Sequence, residues 1–327
     1  VKAAKKLNFL LGRGCSLWNS VTTAPGNWFR LLVLLVVWPT AELRADAVEF
    51  ELITVAPGVY LHPGRHEDMD AANRGDIANI GFIVGGQSVL VIDPGGSPAV
   101  ARHLREAIRT VTDLPVSHVV LTHIHPDHVL GSGVFDDSGQ MIAHENYPRS
   151  LAQRGDFYLE RFNFLFGSDA PALPVPDVLV DSAMEVDLGN RRVVITAHPT
   201  AHTDNDLSVY DINSGTLWAS DLVFAGRVPV LDGSLKGWIE VTENFLAGSA
   251  KTVIPGHGKP GTLQSTIAPQ LRYLRKILDQ TREHVSNDAR LTTAVETVAK
   301  DEENQWLLFS LYHKGNVTRA FTELEWE

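Results

Sequence analysis

Short apolar runs rich in β-branched residues alternate along this chain with stretches whose apolar residues recur at helical spacing. Residues 116–121, 193–196, 216–220 and 252–254 each predict a buried strand. Between 81 and 92 two such runs flank Gly85-Gly86, the composition of a hairpin turn, and the second ends at Asp93. Ser97 before Pro98, with apolar residues through Ile108, predicts a capped helix crossing between strands. Residues 269–285 and 291–299 also read as helices, with Leu271, Leu274, Ile277 and Leu278 on one face. Strands alternating with helices in this way predict an α/β fold.

Ionisable residues gather where the strands are expected to end. The first strand runs into Thr122-His123-Ile124-His125-Pro126-Asp127-His128, in which His123, His125, Asp127 and His128 are all able to bind or orient a transition metal. Zinc accepts imidazole nitrogen and carboxylate oxygen at roughly 2.0 to 2.2 Å, and a catalytic site keeps one position open for water. His123 and His125 lie two apart, which on a helix would aim them at different faces, so a loop must fold them inward. His202, Asp221 and His257 each follow a later strand, and Asp93 follows the hairpin. The pattern points to a hydrolytic metal centre.

Together these segments resemble the metallo-β-lactamase superfamily, over roughly residues 50–260. The resemblance implies an αββα sandwich. It assigns His123, His125 and His202 to one metal and Asp127, His128 and His257 to a second, with Asp221 bridging. Asp93 would accept a hydrogen bond from a ligand histidine beneath the site. The implied cofactor is two zinc ions sharing a bridging water that becomes hydroxide near neutral pH, oriented by Asp127. β-Lactamases with a comparable site carry Cys or Ser where this chain has Asp221, whereas thioester and lactone hydrolases carry Asp. Hydrolysis of a small ester, thioester or lactone is therefore expected. The alternatives are β-lactam hydrolysis, persulfide oxidation on a single iron held by two His and an Asp, and a non-catalytic accessory role. Residues 73–81, 128–131 and 230–238 are similar to SoxH-related zinc metallohydrolases found beside periplasmic quinoprotein dehydrogenases, which implies a functional link to such a system.

Composition adds limits. The 327 residues divide into a leader at 1–47, a metallo-β-lactamase-fold domain at 48–265 and a helical extension at 266–327 packed on the same domain. The leader carries basic residues, an apolar run at 31–38 and Ala45-Asp46-Ala47, a pattern that predicts a secretory signal cleaved after Ala47. A periplasmic or secreted protein with no lasting membrane association is expected. The sole cysteine, Cys15, would leave with the leader and take thiolate chemistry with it. Loss of six basic and two acidic side chains would move the formal charge from −11 to −15, which disfavours nucleic acid and leaves a small molecule as the expected partner. Arg227 and Lys236 are candidates to hold an anionic group of the substrate. The polar stretch 61–80 reads either as a flap over the pocket or as a plain connection. His144 and His198 read as strand-end histidines, and Trp238, Trp306 and the aromatic residues of 157–166 as core.

Overall fold

The protein is described by a computed structural model covering residues 50–169, 172–173 and 175–327. The expected leader, its apolar run and Cys15 lie outside the described residues. Residues from Val48 to Glu327 belong to one compact unit. No helix among the described residues is long and apolar enough to cross a membrane.

The described residues begin with three antiparallel pairings, β1 (Ile53–Ala56), β2 (Val59–His62), β3 (Ile80–Val84) and β4 (Val89–Ile92). The β3–β4 hairpin turns at Gly85-Gly86, where the alternation breaks. Helix α1 (Pro98–Val111) then crosses to β5 (Val116–Val120), parallel to β4. Its start has the expected chemistry: the Ser97 hydroxyl accepts from the Val100 amide, and Pro98 occupies the first turn, where its missing N–H costs nothing. The short α2 (Pro126–Val129), β6 (Gln140–His144), α3 (Tyr147–Arg161) and β7 (Val178–Val180) complete a seven-stranded sheet in sequential order.

The second sheet holds β8 (Ala183–Asp187), β9 (Arg192–Ala197), β10 (Leu207–Asp211), β11 (Thr216–Phe224) and, beyond α4 (Leu235–Leu246), β12 (Thr252–His257). Strand β12 is an edge, which lets it carry Pro255 without losing a ladder hydrogen bond. Helices α5 (Leu263–Ser286), α6 (Leu291–Thr297) and α7 (Phe309–Leu324) follow. The boundary drawn at 265/266 falls within α5, which starts at the Thr262–Ser265 capping box and runs through Pro269.

Period-two alternation divides the side chains between layers. In β4, Val89 and Val91 pack against α1, whereas Leu90 and Ile92 face the second sheet. In β11, Trp218 faces the first sheet while Leu217 and Ala219 face α5. The order of layers is therefore helix, sheet, sheet, helix, an αββα sandwich with C-terminal helices. Those helices share a core with α4 and the loop before it: Val228, Leu231 and Trp238 pack among Leu274, Ile277, Phe309 and Val317.

At one end of the sandwich a buried ion pair pins the two sheets. Arg191 grips both carboxylate oxygens of Asp211 at 2.9 and 2.6 Å and donates to the carbonyls of Pro57 and Val84 in the first sheet. Burial pushes the Asp211 carboxyl up, but its bonds from Arg191 and Ser214 outweigh that and hold it below the usual carboxylate range. Asp211→Ala would strand a guanidinium in the interior, so we expect a loss of about 3–5 kcal/mol in unfolding free energy by urea titration. Loss below about 1 kcal/mol would mean that water reaches Arg191.

Candidate metal centre

The expected ligands converge at the other end of the sandwich, where β4, β5 and β12 point their C-terminal ends. Past β5 the chain bends at His123 and Ile124, and His125 takes the N-cap position of α2 with extended φ −63° and ψ 144°. Pro126 starts that helix, and its first turn carries Asp127 and His128. Two residue pairs with different backbone conformations thus aim at one point. His202 lies in the loop between β9 and β10.

Asp221 differs from expectation. It was expected at the end of a strand finishing with Ser220, but β11 continues through it to Phe224. The backbone at Ser220 is left-handed, φ 47°, and the register with β12 slips on both sides of it. This bulge re-aims the carboxylate without ending the strand. His257 is likewise the last residue of β12 and not part of a turn beyond it. Gly256 backs onto Asp221, and a Cβ there would stand 1.8 Å from Asp221 Oδ1. Only glycine leaves the carboxylate its place.

Ring orientations are set from outside the cluster. His128 Nδ1 donates to Asp93 Oδ2 at 2.8 Å, His202 Nδ1 to the Val230 carbonyl at 2.7 Å, and His257 Nδ1 to the Ile77 carbonyl at 2.7 Å. Thr122 Oγ lies 3.1 Å from His123 Nδ1 and donates to Asp93. His125 is turned the other way round: its Nε2 donates to Asp232 at 3.1 Å and its Nδ1 faces His202 Nε2 at 2.9 Å. Each outer proton commits the inner nitrogen to a lone pair.

Those lone pairs meet one another. The ligand atoms of His123, His125, His202 and Asp221 all lie within 4.8 Å of one another, as do those of Asp127, His128 and His257. Asp221 faces both sets, with Oδ2 at 3.4 Å from His202 and 3.7 Å from His123, and Oδ1 at 3.2 Å from His128 and 3.5 Å from His257. Among the described residues His123 Nε2, His128 Nε2 and Asp221 Oδ1 are buried without a hydrogen-bond partner. Buried acceptors pointed at each other are costly unless a cation lies between them. The donor set fits transition-metal ions.

Titration preferences agree. Burial, followed by the neighbouring imidazoles, holds His123 well below its usual value and brings His202 down to about 3, so both are neutral and ready to coordinate. Burial also lowers His128, but the Asp221, Asp127 and Asp93 carboxylates outweigh it and raise this imidazole well above its ordinary value. Burial pushes Asp127 and Asp221 up, and the facing histidines more than reverse this, keeping both carboxylates ionised. A proton on His128 would stand in for a cation until metal displaces it.

Above the cluster is a cavity of about 150 Å³, lined by ligand side chains together with Met69, Ile77, Phe162, Phe224, Arg227, Val230 and Tyr312. Arg227 is 3% exposed; its guanidinium lies 5.2 Å from the Tyr312 ring, and its Nε lacks a partner among the described residues. Lys236 is a correction. It sits half-exposed in the first turn of α4 and pairs with Glu327 at 2.9 Å, and it is not among the residues that line the cavity. The stretch 61–80 both connects and borders the cavity. Asn79 ties its end to the carbonyls of Pro255 and Gly258 beside His257, while Asp68 and Met69 reach the cavity. His144 bonds the His198 carbonyl and His198 the Ser208 hydroxyl, both outside the cluster, and Trp238 and Trp306 are core. Phe162 instead lines the cavity, and Phe157 and Phe164 are exposed. Asp232 and Tyr312 were not singled out by sequence. Asp232 lies within 230–238 but carries no sequence signal of contact with His125, and Tyr312 reaches the site from a helix 55 residues beyond His257.

The profile of the metallo-beta-lactamase superfamily matches residues 73–257, more than half of the chain. The chain belongs to this superfamily. A metallo-beta-lactamase from Pontibacter korlensis superposes with a TM-score of 0.56 at 20% identity, covering 69% of this chain and 98% of that one. TMB-1 gives 0.54 at 18% identity, over 69% and 97%. A double mutant of the sec-alkyl sulfatase PisA1 gives 0.67 at 16% identity, over 83% of this chain but 49% of that one. At such identities the likeness is one of fold, and the superfamily scaffold accounts for ligands carried on strand ends.

Asp232 offers a test of ring orientation in this metallo-beta-lactamase scaffold. Asp232→Asn should weaken metal binding by about 10- to 100-fold for one ion, read by competition with a chromogenic chelator. Unchanged affinity for both ions would confine Asp232 to its pairing with Arg154 and Arg319.

Proposed function

We propose that the protein is a metal-dependent hydrolase that uses two zinc ions to cleave a small ester, thioester or lactone. The observation that supports it is the double set of inward-facing imidazole and carboxylate atoms with Asp221 between them. His123, His125 and His202 would hold one ion, Asp127, His128 and His257 the other, and Asp221 would face both. Bound there, the ions supply an attacking water of lowered pKa and polarise the bond under attack. Asp127, 3.3 Å from His257 Nε2 and open to the cavity, orients that water through its carboxylate. Phe224, stacked on the His257 ring at 5.1 Å, and Val230 keep bulk solvent from the reacting bond. Arg227 offers its guanidinium to an anionic group on the substrate.

Asp221 supports esters and thioesters over β-lactams, on the family pattern in which lactamases with a comparable site carry Cys or Ser there. A sulfate ester is a second reading, favoured by Arg227 at the cavity and by a fold likeness to an alkyl sulfatase that spans more of the chain. Export to the periplasm, as the leader pattern suggests, and service to a quinoprotein dehydrogenase, as the finer resemblance suggests, belong to this proposal.

Purified protein expressed with zinc and iron both available should carry about two zinc equivalents by elemental analysis. On a panel of esters, thioesters, lactones, sulfate esters and β-lactams, the highest kcat/KM should fall on an ester or thioester. A single iron without zinc would replace the hydrolase with the dioxygenase, and a β-lactam at the top would overturn the reading of Asp221. Asp127→Asn should lower kcat by about 10²- to 10⁴-fold. Turnover within about twofold of the parent at full metal loading would remove Asp127 from the chemistry.

A further inference from the structure

The cavity over the ligands, about 150 Å³, has room for the reacting bond and little else. It does not end there. A groove of about 720 Å³ runs on from it between α3 and α7, and His125, Val230 and Tyr312 line both spaces. We propose that this groove holds a linear aliphatic tail of the substrate, and that Gly315 keeps it open. The substrate so described is a medium-chain acyl or alkyl ester or thioester, which rests on the hydrolase reading for its reacting bond.

Two observations carry this. Gly315 stands in the middle of α7, where glycine costs about 0.5–1 kcal/mol relative to alanine. Its backbone does not need glycine, because its φ is not positive and an added Cβ would meet nothing within 4 Å. Neither packing nor strain accounts for the residue. A missing side chain there leaves space in the groove wall.

Several polar groups of the groove are engaged inside the protein. Arg154 and Arg319 both donate to Asp232. Asn316 donates to the Pro229 carbonyl at 2.6 Å and accepts from the Leu231 amide at 2.8 Å. The Thr318 and Thr322 hydroxyls donate to backbone carbonyls one turn earlier in α7. Tyr158, Leu231 and Leu311 also line it, and Leu311 is 51% exposed. These side chains offer apolar contact to methylenes.

Calorimetry with acetate, butyrate, hexanoate and octanoate on the zinc-loaded protein tests the groove apart from turnover. Affinity should rise about two- to threefold per methylene, somewhat less than full burial would give. G315W, which fills the groove, should abolish that rise, so that octanoate binds no better than acetate. Leu311→Asp changes an exposed wall residue and should flatten the series without threatening the fold. Affinities in the parent that do not depend on chain length, or an unaltered rise in both variants, would overturn the proposal. So would a dimer in sedimentation that Leu311→Asp dissociates, since a second copy would then occupy the groove. The same series as p-nitrophenyl esters separates the two readings. Hydrolysis at a rate indifferent to length removes the groove and keeps the hydrolase, whereas a length-dependent affinity without hydrolysis of any ester does the reverse.

Discussion

Asp221 faces four imidazole rings with its two oxygens and has almost no water around it. A carboxylate in that position keeps its charge only if positive charge answers it, and the nearest candidates are histidines whose own protons are mostly committed elsewhere. The surrounding structure follows from this constraint. The bulge at Ser220 brings the carboxylate round, Gly256 leaves it room, and Asp93, Asp232 and two backbone carbonyls turn the rings so that lone pairs meet over it. The protein alone leaves the cluster electrostatically incomplete, and that incompleteness is what gives it affinity for metal ions.

Rigid elements make such incompleteness tolerable. The ligands stand on or beside strands whose alternate side chains are locked between sheets and helices, so the rings cannot swing away from one another to find water. The C-terminal helices complete the enclosure. They share a core with the loop that accepts the His202 proton, and they put Tyr312 over Arg227. The extension is thus part of the wall of the cavity over the ligands.

Much of this was legible in the chain. The 81–92 hairpin, the capped helix at 98 and the alternation of short apolar runs depend on local chemistry, and local chemistry is what a sequence displays. The seven candidate ligands stood out because each follows an apolar run, and the superfamily pattern supplied their grouping. What stayed hidden depends on distance in the chain. Asp232 meets His125 across 107 residues, and Tyr312 meets Asp68 across 244. Neither has a distinctive neighbour to mark it. Lys236 misled for the opposite reason: closeness to Asp221 in sequence did not survive the loop between them, and Glu327 holds it elsewhere. The true end of β11 was also out of reach, because a bulge keeps the strand apolar and buried straight through a carboxylate.

The Arg191–Asp211 clamp lies at the end of the sandwich away from the ligands. Fastening the sheets there separates the residues that maintain the scaffold from those that define the pocket. Loops at the open end can then change length and composition under selection without loosening the joint that holds the two sheets together. A lineage built this way has evolutionary latitude: one framework can be handed from one substrate to another while its anchorage stays untouched.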